Sequence, residues 1–474
     1  MPATEEIRPG GGRSLRPEQL GAESFRRRHG LRYAYVTGAM YQGIASKELV
    51  TAVARAGFLG FLGTGGRSLE EIERDLVFLR QELGSDHPYG MNLIAQPQEP
   101  EMEEATVDLY RRHGVTCVEA AAFTRMTPAL VHYRLSGVER SAGGGVTCRH
   151  RVIAKVSRPE LAEAFLSPPP QDIVRKLLAA ERITGEQAAL AAEIAMSDDL
   201  CVEADSGGHT DRGNATVLLP AMQSVVRRIA ARRRFEERIH VGLAGGIGTP
   251  QAAAAAFLMG ADFILTGSIN QCTVEAGTSD AVKDLLQAIN VQDTDYAPAG
   301  DMFEQGSRVQ VLRKGVLFPA RANKLYALYS RYDAWEEIPE RVRMQIESTY
   351  FARPFAEVWD DVREHHRRKG RHALVDQASA DGKRKMALVF RWYFAMSSRA
   401  AISGDETRLI DFQVHTGPAL GAFNQWVKGT ELESWRNRRV AGIAERLMQE
   451  TAALLDQRFH DWMSMSHTTG ESAQ

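Results

Sequence analysis

Apolar residues in the first two thirds of the chain fall in short runs at intervals. YAYV (33–36), FLGFL (58–62), YGMNLI (89–94) and TCVEAA (116–121) are followed by HRVIAKV (150–156), DLCVEA (199–204), RIHVGLA (238–244) and DFILTG (262–267). Runs this short and this continuously apolar predict strands covered on both faces. Between most of them lie segments of helical period, among them SKELVTAVARAG, SLEEIERDLVFLRQELG and TPQAAAAAFLMG. Strand alternating with helix predicts a parallel sheet with helical crossovers. Eight such units in under about 250 residues predict an α/β fold closed as a (β/α)8 TIM barrel, not an open sheet.

The barrel is expected over residues 31–318. Between the strand ending at Val156 and the one starting near Asp199 sit an LSPPPQ break and extra helical sequence. They predict a helical insertion after strand 5, at about 165–198, on the loop side that shapes a pocket. Beyond Phe318 the alternation ends, and segments such as RANKLYALYSRY and RKMALVFRWYFAM give residues 319–474 a helical character. A lid, a dimer surface and a docking platform all remain open for this C-terminal region. Residues 1–30, rich in Gly, Arg and Pro, predict a mobile leader or a tail that packs late. The apolar run 386–402 is interrupted by Arg391 and Arg399, which predicts a buried amphipathic helix and not a membrane span.

Composition changes this picture little. A formal net charge of -2 with 44% apolar and 25% charged residues describes an ordinary globular chain. It makes no electrostatic case for nucleic acid or an anionic membrane. Four scattered cysteines without a C-x-x-C pair suit a reducing cytosol, and the N-terminus has no apolar secretion signal, so a cytoplasmic protein is expected. No metal site is expected: there is no H-E-x-x-H, and His365 and His366 fall in the basic tract EHHRRKGRH.

Candidate chemistry gathers where loops follow strands. In AGGIGTPQAAAAAF, Gly245 and Gly246 precede Thr249, a good N-cap, and Pro250, suited to the first helical position. Glycines before a helix N-terminus make a ready phosphate site. Gly267 and Ser268, after the next strand, supply a second set of donors. Two such turns after the last two strands are where many barrels hold a phosphate; tight turns alone are the plainer alternative. In EADSGGHTDRG (203–213), Gly207 and Gly208 bring backbone amides toward a ligand and His209 can exchange a proton near neutral pH, unless it merely ties its own loop. GTGGRS (63–68) nearly fits a dinucleotide fingerprint, but Ser68 replaces the last glycine, and it reads as the second barrel loop. Ala39, Met40, Asn92 and Lys155 stand at strand ends and point at the mouth; Lys155 can stabilise negative charge there or simply reach solvent.

Taken in order, TGAMYQGIAS, GFLGTGG, MNLI, VEAAAF, IAKVSRPE, EADSGGHTDRGN, GLAGGIGTPQAAAAAFLMGADFILTGSINQ and TVEAGTSDAVKDLL resemble the PfaD-type trans-acting enoyl reductases, relatives of nitronate monooxygenases and of FMN-dependent enoyl-acyl-carrier-protein reductases. VQVLRKGVLFPARANKLY, MALVFRWYFAMSSR and GPALGAFNQWVKG extend the resemblance beyond Trp426 and single out that group. The resemblance implies FMN as cofactor, NADPH or NADH as reductant, and an enoyl thioester on an acyl carrier protein of a polyketide or polyunsaturated fatty acid synthase as substrate. It implies phosphate contacts at Gly245, Gly246, Gly267 and Ser268. Flavin contacts are implied at Ala39, Met40, Asn92, Lys155, Gly207 and Gly208. His209 and Lys155 are the implied catalytic residues. The competing expectations are a nitronate monooxygenase-like flavoenzyme and a non-catalytic barrel partner in a synthase assembly. A reaction through a loop cysteine fits less well, since Cys201 lies inside the sixth strand and Cys272 follows the eighth.

Overall fold

A computed structural model describes residues 14–84, 87–208, 210–233 and 237–468. Eight parallel strands close in sequential order: Tyr35–Thr37, Leu59–Leu62, Gly90–Ile94, Cys117–Ala121, Arg151–Val156, Asp199–Glu203, His240–Ala244 and Ile264–Thr266. Each lies within, or overlaps by all but one residue, the apolar run expected for it. Side chains alternate in and out along a strand, so Val36, Phe61, Cys117, Ile153, Cys201 and Phe263 point inward and fill the barrel. The near-fingerprint GTGGRS is the second barrel loop: Ser68 is an N-cap, its Oγ accepting from the Glu71 amide while Glu71 reaches back to the Ser68 amide.

Three domain expectations change. The first concerns the leader. Helix Glu23–His29 plugs the bottom of the barrel, with Phe25 fully buried and stacked on Phe263 at 4.2 Å, so residues from about 17 onward pack against the barrel; residues 1–13 lie outside the described residues. The second concerns the insertion. Helices Gln171–Ala179 and Gly185–Leu190 fall within the expected 165–198 after the fifth strand, but helix Pro159–Phe165 comes between. They therefore sit in a helix-to-strand connection, on the side away from the mouth, against helix Pro128–Leu135 and the hairpin Val138–Arg140/Val146–Cys148.

The third concerns the end of the barrel. Helix Val440–Thr468 packs between helices Lys47–Arg55 and Pro250–Leu258, the place of the eighth barrel helix, so the ring closes far beyond residue 318. Between the eighth strand and that helix the chain builds a second core around Phe303, Phe318, Trp335, Phe351, Phe390 and Phe394. It comprises an antiparallel hairpin, Thr294–Pro298 with Arg308–Leu312, and helices from Phe318–Arg331 to Gly382–Ser403. The hairpin is strand structure that the sequence pattern did not predict. Helix Gly382–Ser403 holds the expected amphipathic run and buries Met386, Val389, Phe390 and Tyr393; no described helix is long and apolar enough to cross a membrane.

A polar clamp locks the plug helix to the floor. Asp199, fully buried, binds His29 Nε2 at 2.8 Å, His240 Nδ1 at 2.7 Å and Arg28 Nη1 at 2.8 Å. Ser24 Oγ meets His240 Nε2 at 2.7 Å, which sets a serine, a histidine and an aspartate in hydrolase order. Arg28 and His29 occupy the same carboxylate, and the bottom of a barrel serves stability, so the group acts as a staple. Burial alone would raise the Asp199 acid, but His29, His240 and Arg28 outweigh it and hold the carboxyl well below its usual range. A carboxylate depressed in the fold contributes stability above its unfolded pKa of about 3.9, and that contribution is lost as pH falls through the folded value. Asp199→Asn is expected to cost about 3 kcal/mol at pH 7. The gap from the parent should narrow as pH drops below about 5 in urea unfolding; an equal gap at pH 7 and pH 3 would count against the staple.

Candidate active site

Two residues beyond the apolar filling, strand parity points the next side chains into the mouth: Asn92, Glu119, Lys155 and Glu203, on strands three to six. Lys155 Nζ lies 2.9 Å from Glu203 Oε1 and 3.5 Å from Glu119 Oε1. Glu119 is fully buried, and its Oε2 accepts from the Ala39 amide at 2.8 Å. Asn92 Nδ2 turns to Glu119, 3.3 Å from its carbonyl oxygen and 3.5 Å from Oε2. Burial pushes the Glu119 acid up, against the pull of Lys155. Burial works the other way on Lys155, but Glu203 and Glu119 outweigh it and raise the ammonium above its ordinary value. Lys155 is thus a cation held between two acids, not one reaching for solvent, and Ala39, Asn92 and Lys155 are joined through Glu119 into one charged floor.

Glu119 and Glu203 were not singled out by motif. The signal was a glutamate inside two apolar strand runs, CVEA at 117–120 and again at 201–204. A charge inside such a run is costly to bury unless paired, so the repeated pattern points to a buried ionic cluster.

Opposite this floor, after strands seven and eight, lie the two glycine turns. Helix Pro250–Leu258 begins as expected, with Thr249 Oγ1 accepting from the Ala252 amide at 3.3 Å. Gly245 and Gly246 take φ of +89° and +78°, in the left-handed region that favours glycine. A Cβ added at Gly245 would press on the Ala204 carbonyl, whereas one added at Gly246 or Gly267 meets no atom within 4 Å. Among the described residues, the amides of Gly246, Gly267 and Ser268 donate to no backbone acceptor. Open space faced by unspent donors is the chemistry of an anion cradle. Helix Pro418–Trp426 backs both turns: it packs on helix Ser268–Gln271, and a Cβ at Gly248 would strike the Ala419 carbonyl. That backing comes from the C-terminal third of the chain.

The third loop, after strand six, holds Gly207 and Gly208; Gly208 lies over Glu203, whose Oε1 stands 3.3 Å from where its Cβ would be. His209 lies outside the described residues; the chain is described on either side of it, at Gly208 and Thr210. Met40, half-buried, heads the loop after the first strand. Burial pushes the thiols of Cys201 and Cys117 far up and that of Cys272 to about 11, so none of the three is a thiolate nucleophile near neutral pH.

The family model for nitronate monooxygenase matches residues 28–327, and that for the inserted helical domain of [acyl-carrier-protein] S-malonyltransferase matches residues 332–412. The polyketide biosynthesis protein PksE of Bacillus subtilis (strain 168) is 54% identical over 452 residues, 95% of this chain and 58% of that protein. ThaF of Burkholderia thailandensis, also a polyketide biosynthesis protein, is 52% identical over 446 residues, 94% of this chain and 38% of that one. The chain therefore spans little more than half of the first relative and less of the second. The crystal structure of the enoyl reductase domain of MlnA, from the macrolactin biosynthesis cluster of Bacillus amyloliquefaciens, superposes with a TM-score of 0.91 at 44% identity, covering 94% of this chain and 99% of that one. FabK from Thermotoga maritima, at 18% identity and a TM-score of 0.51, shares the fold.

The closed parallel barrel, with two open glycine turns after its last strands and an ionic floor under its mouth, and the nitronate monooxygenase match together give the class, a barrel oxidoreductase. The match through the helical insert narrows it: the chain belongs to the nitronate monooxygenase family and, within it, to the PfaD-type enoyl reductases.

Proposed function

We infer that the chain reduces the α,β-double bond of an enoyl thioester on an acyl carrier protein, with FMN as cofactor and NADPH or NADH as reductant. The observation that carries this reading is the open cradle of Gly245, Gly246, Gly267 and Ser268 across the mouth from the charged floor. The extended likeness to the MlnA enoyl reductase domain supports the choice of reaction. In this reading the cradle holds the FMN phosphate. When bound, FMN supplies a carrier that accepts a hydride from the nicotinamide and delivers one to the substrate β-carbon.

The chain's own residues do the rest. Glu119 fixes the Ala39 amide and the Asn92 amide group, and Lys155 balances Glu119 and Glu203, so the floor presents oriented dipoles that need not reorganise during reaction. Asn92 and Lys155 then act through this network more than as separate contacts. His209 donates the proton at the substrate α-carbon. Polyketide or polyunsaturated fatty acid synthase assemblies would supply the carrier, in keeping with the names of the relatives.

A spectrum of the purified protein followed by anaerobic assay tests the reading. The expected result is a yellow protein that oxidises NADPH only when a crotonyl-carrier thioester is added. Nitronate-dependent oxygen uptake with no enoyl reduction would transfer the reading to the other branch of the family. A folded, colourless protein that refuses FMN would leave only a binding role.

A further inference from the structure

We propose that Asp205 is a positioning residue, the joint through which the inserted unit sets the loop after the sixth strand. The inference rests on the proposed reaction only for its consequence in turnover; the joint itself is geometry.

Asp205 stands just beyond the sixth strand. Its Oδ2 accepts from the Tyr296 hydroxyl and from Gln310 Nε2 at 2.5 Å, and its Oδ1 accepts from Thr210 Oγ1 at 3.1 Å. Its amide donates to the Gly213 carbonyl at 3.0 Å, which closes residues 205–213 into a loop pinned at its neck. Tyr296 and Gln310 are register partners on the hairpin of the inserted unit. The Tyr296 carbonyl is in turn held by Arg308 Nη2 at 2.9 Å and by Asn323 Nδ2 at 2.8 Å, the latter from helix Phe318–Arg331. Hydrogen bonds at both ends of Tyr296 thus tie helix Phe318–Arg331 to one carboxylate at the mouth.

Other contacts seat the loop on the same unit. The Arg212 guanidinium lies 5.6 Å from the centre of the Tyr296 ring, over its face. The Thr416 amide donates to the Gln310 carbonyl at 3.3 Å, and Gly207 packs so close that a Cβ there would sit 3.0 Å from the Thr416 nitrogen. Burial first, and then the Asp205 charge, push the Tyr296 phenol up, so it stays a donor across the neutral range. Gln310 is buried, and among the described residues its Oε1 has no partner. Its Nε2 donates to Asp205 Oδ2 and, at 3.2 Å, to the Tyr296 hydroxyl.

Amide hydrogen exchange on the full-length protein tests the joint. In Tyr296→Phe, exchange at Gly207, Gly208, Arg212 and Gly213 should rise about ten- to a hundredfold, the worth of a lost hydrogen bond to a charged group. Exchange in the barrel strands should stay as in the parent. Asp205→Ala should do the same, Asp205→Asn should recover part of the protection, and the double variant should add little to either single one. In turnover, kcat should fall by a larger factor than FMN affinity, which in the proposed reading rests mainly on the glycine turns after strands seven and eight. Unchanged exchange in Tyr296→Phe, or a rise spread evenly through the strands, would overturn the proposal. A parent lacking enoyl reduction but showing the local exchange response would remove the proposed reaction and keep the joint.

Discussion

Gly246→Asp is expected to give a folded protein that has lost its hold on FMN. Aspartate tolerates positive φ better than most residues, and the added atoms enter open space, so the barrel should survive at a cost of about 1 kcal/mol. The new carboxylate, however, projects into the open space between its own turn and that of Gly267 and Ser268 proposed to hold the phosphate. A like charge set against a phosphate costs several kcal/mol, which predicts a rise in the FMN dissociation constant of about a thousandfold or more. Gly246→Ala separates bulk from charge: it places a methyl group in the same space and should weaken binding far less. Flavin absorbance after gel filtration and titration of the apoprotein read both variants. A yellow Gly246→Asp protein with parental affinity would mean that the phosphate sits elsewhere.

His209→Ala should keep the flavin and lose turnover by about 10²–10⁴-fold, the usual worth of a positioned general acid. Gly208, its neighbour in the chain, lies over Glu203, the acid paired with Lys155. Two half-reactions separate its role. Reduction of bound FMN by NADPH under anaerobic conditions should run at the parental rate, because the nicotinamide step needs no proton at the substrate α-carbon. Reoxidation by an enoyl thioester should carry the whole deficit. Full turnover in this variant would take the proton donor away from His209, and a deficit in the first half-reaction would make it a nicotinamide-positioning residue instead.

How much could be read in advance differs from one element to another. The eight strands were legible because strands covered on both faces are short apolar runs, and the runs are separated by helices of clear period. The glycine turns and the Thr249-Pro250 helix start were legible because both are dictated within a few residues. The ionic floor was half visible: Lys155 and Asn92 stood at strand ends, but Glu119 and Glu203 looked like interruptions of apolar runs. Their meaning lies in parity, since each sits two positions after an inward cysteine, Cys117 or Cys201.

The sequence alone determined what depends on near neighbours: the order of strands and helices, the two glycine turns after the last strands, and the loop bearing Gly207 and Gly208. Tertiary structure alone decided that helix Val440–Thr468 completes a ring begun some four hundred residues earlier, that the plug helix is stapled by Asp199, and that a hairpin of the inserted unit grips Asp205. An amphipathic helix advertises that it has an apolar face but not which surface will cover it. Which partner covers it is settled only when the whole chain has closed, by which faces remain to be buried and which charges remain to be paired.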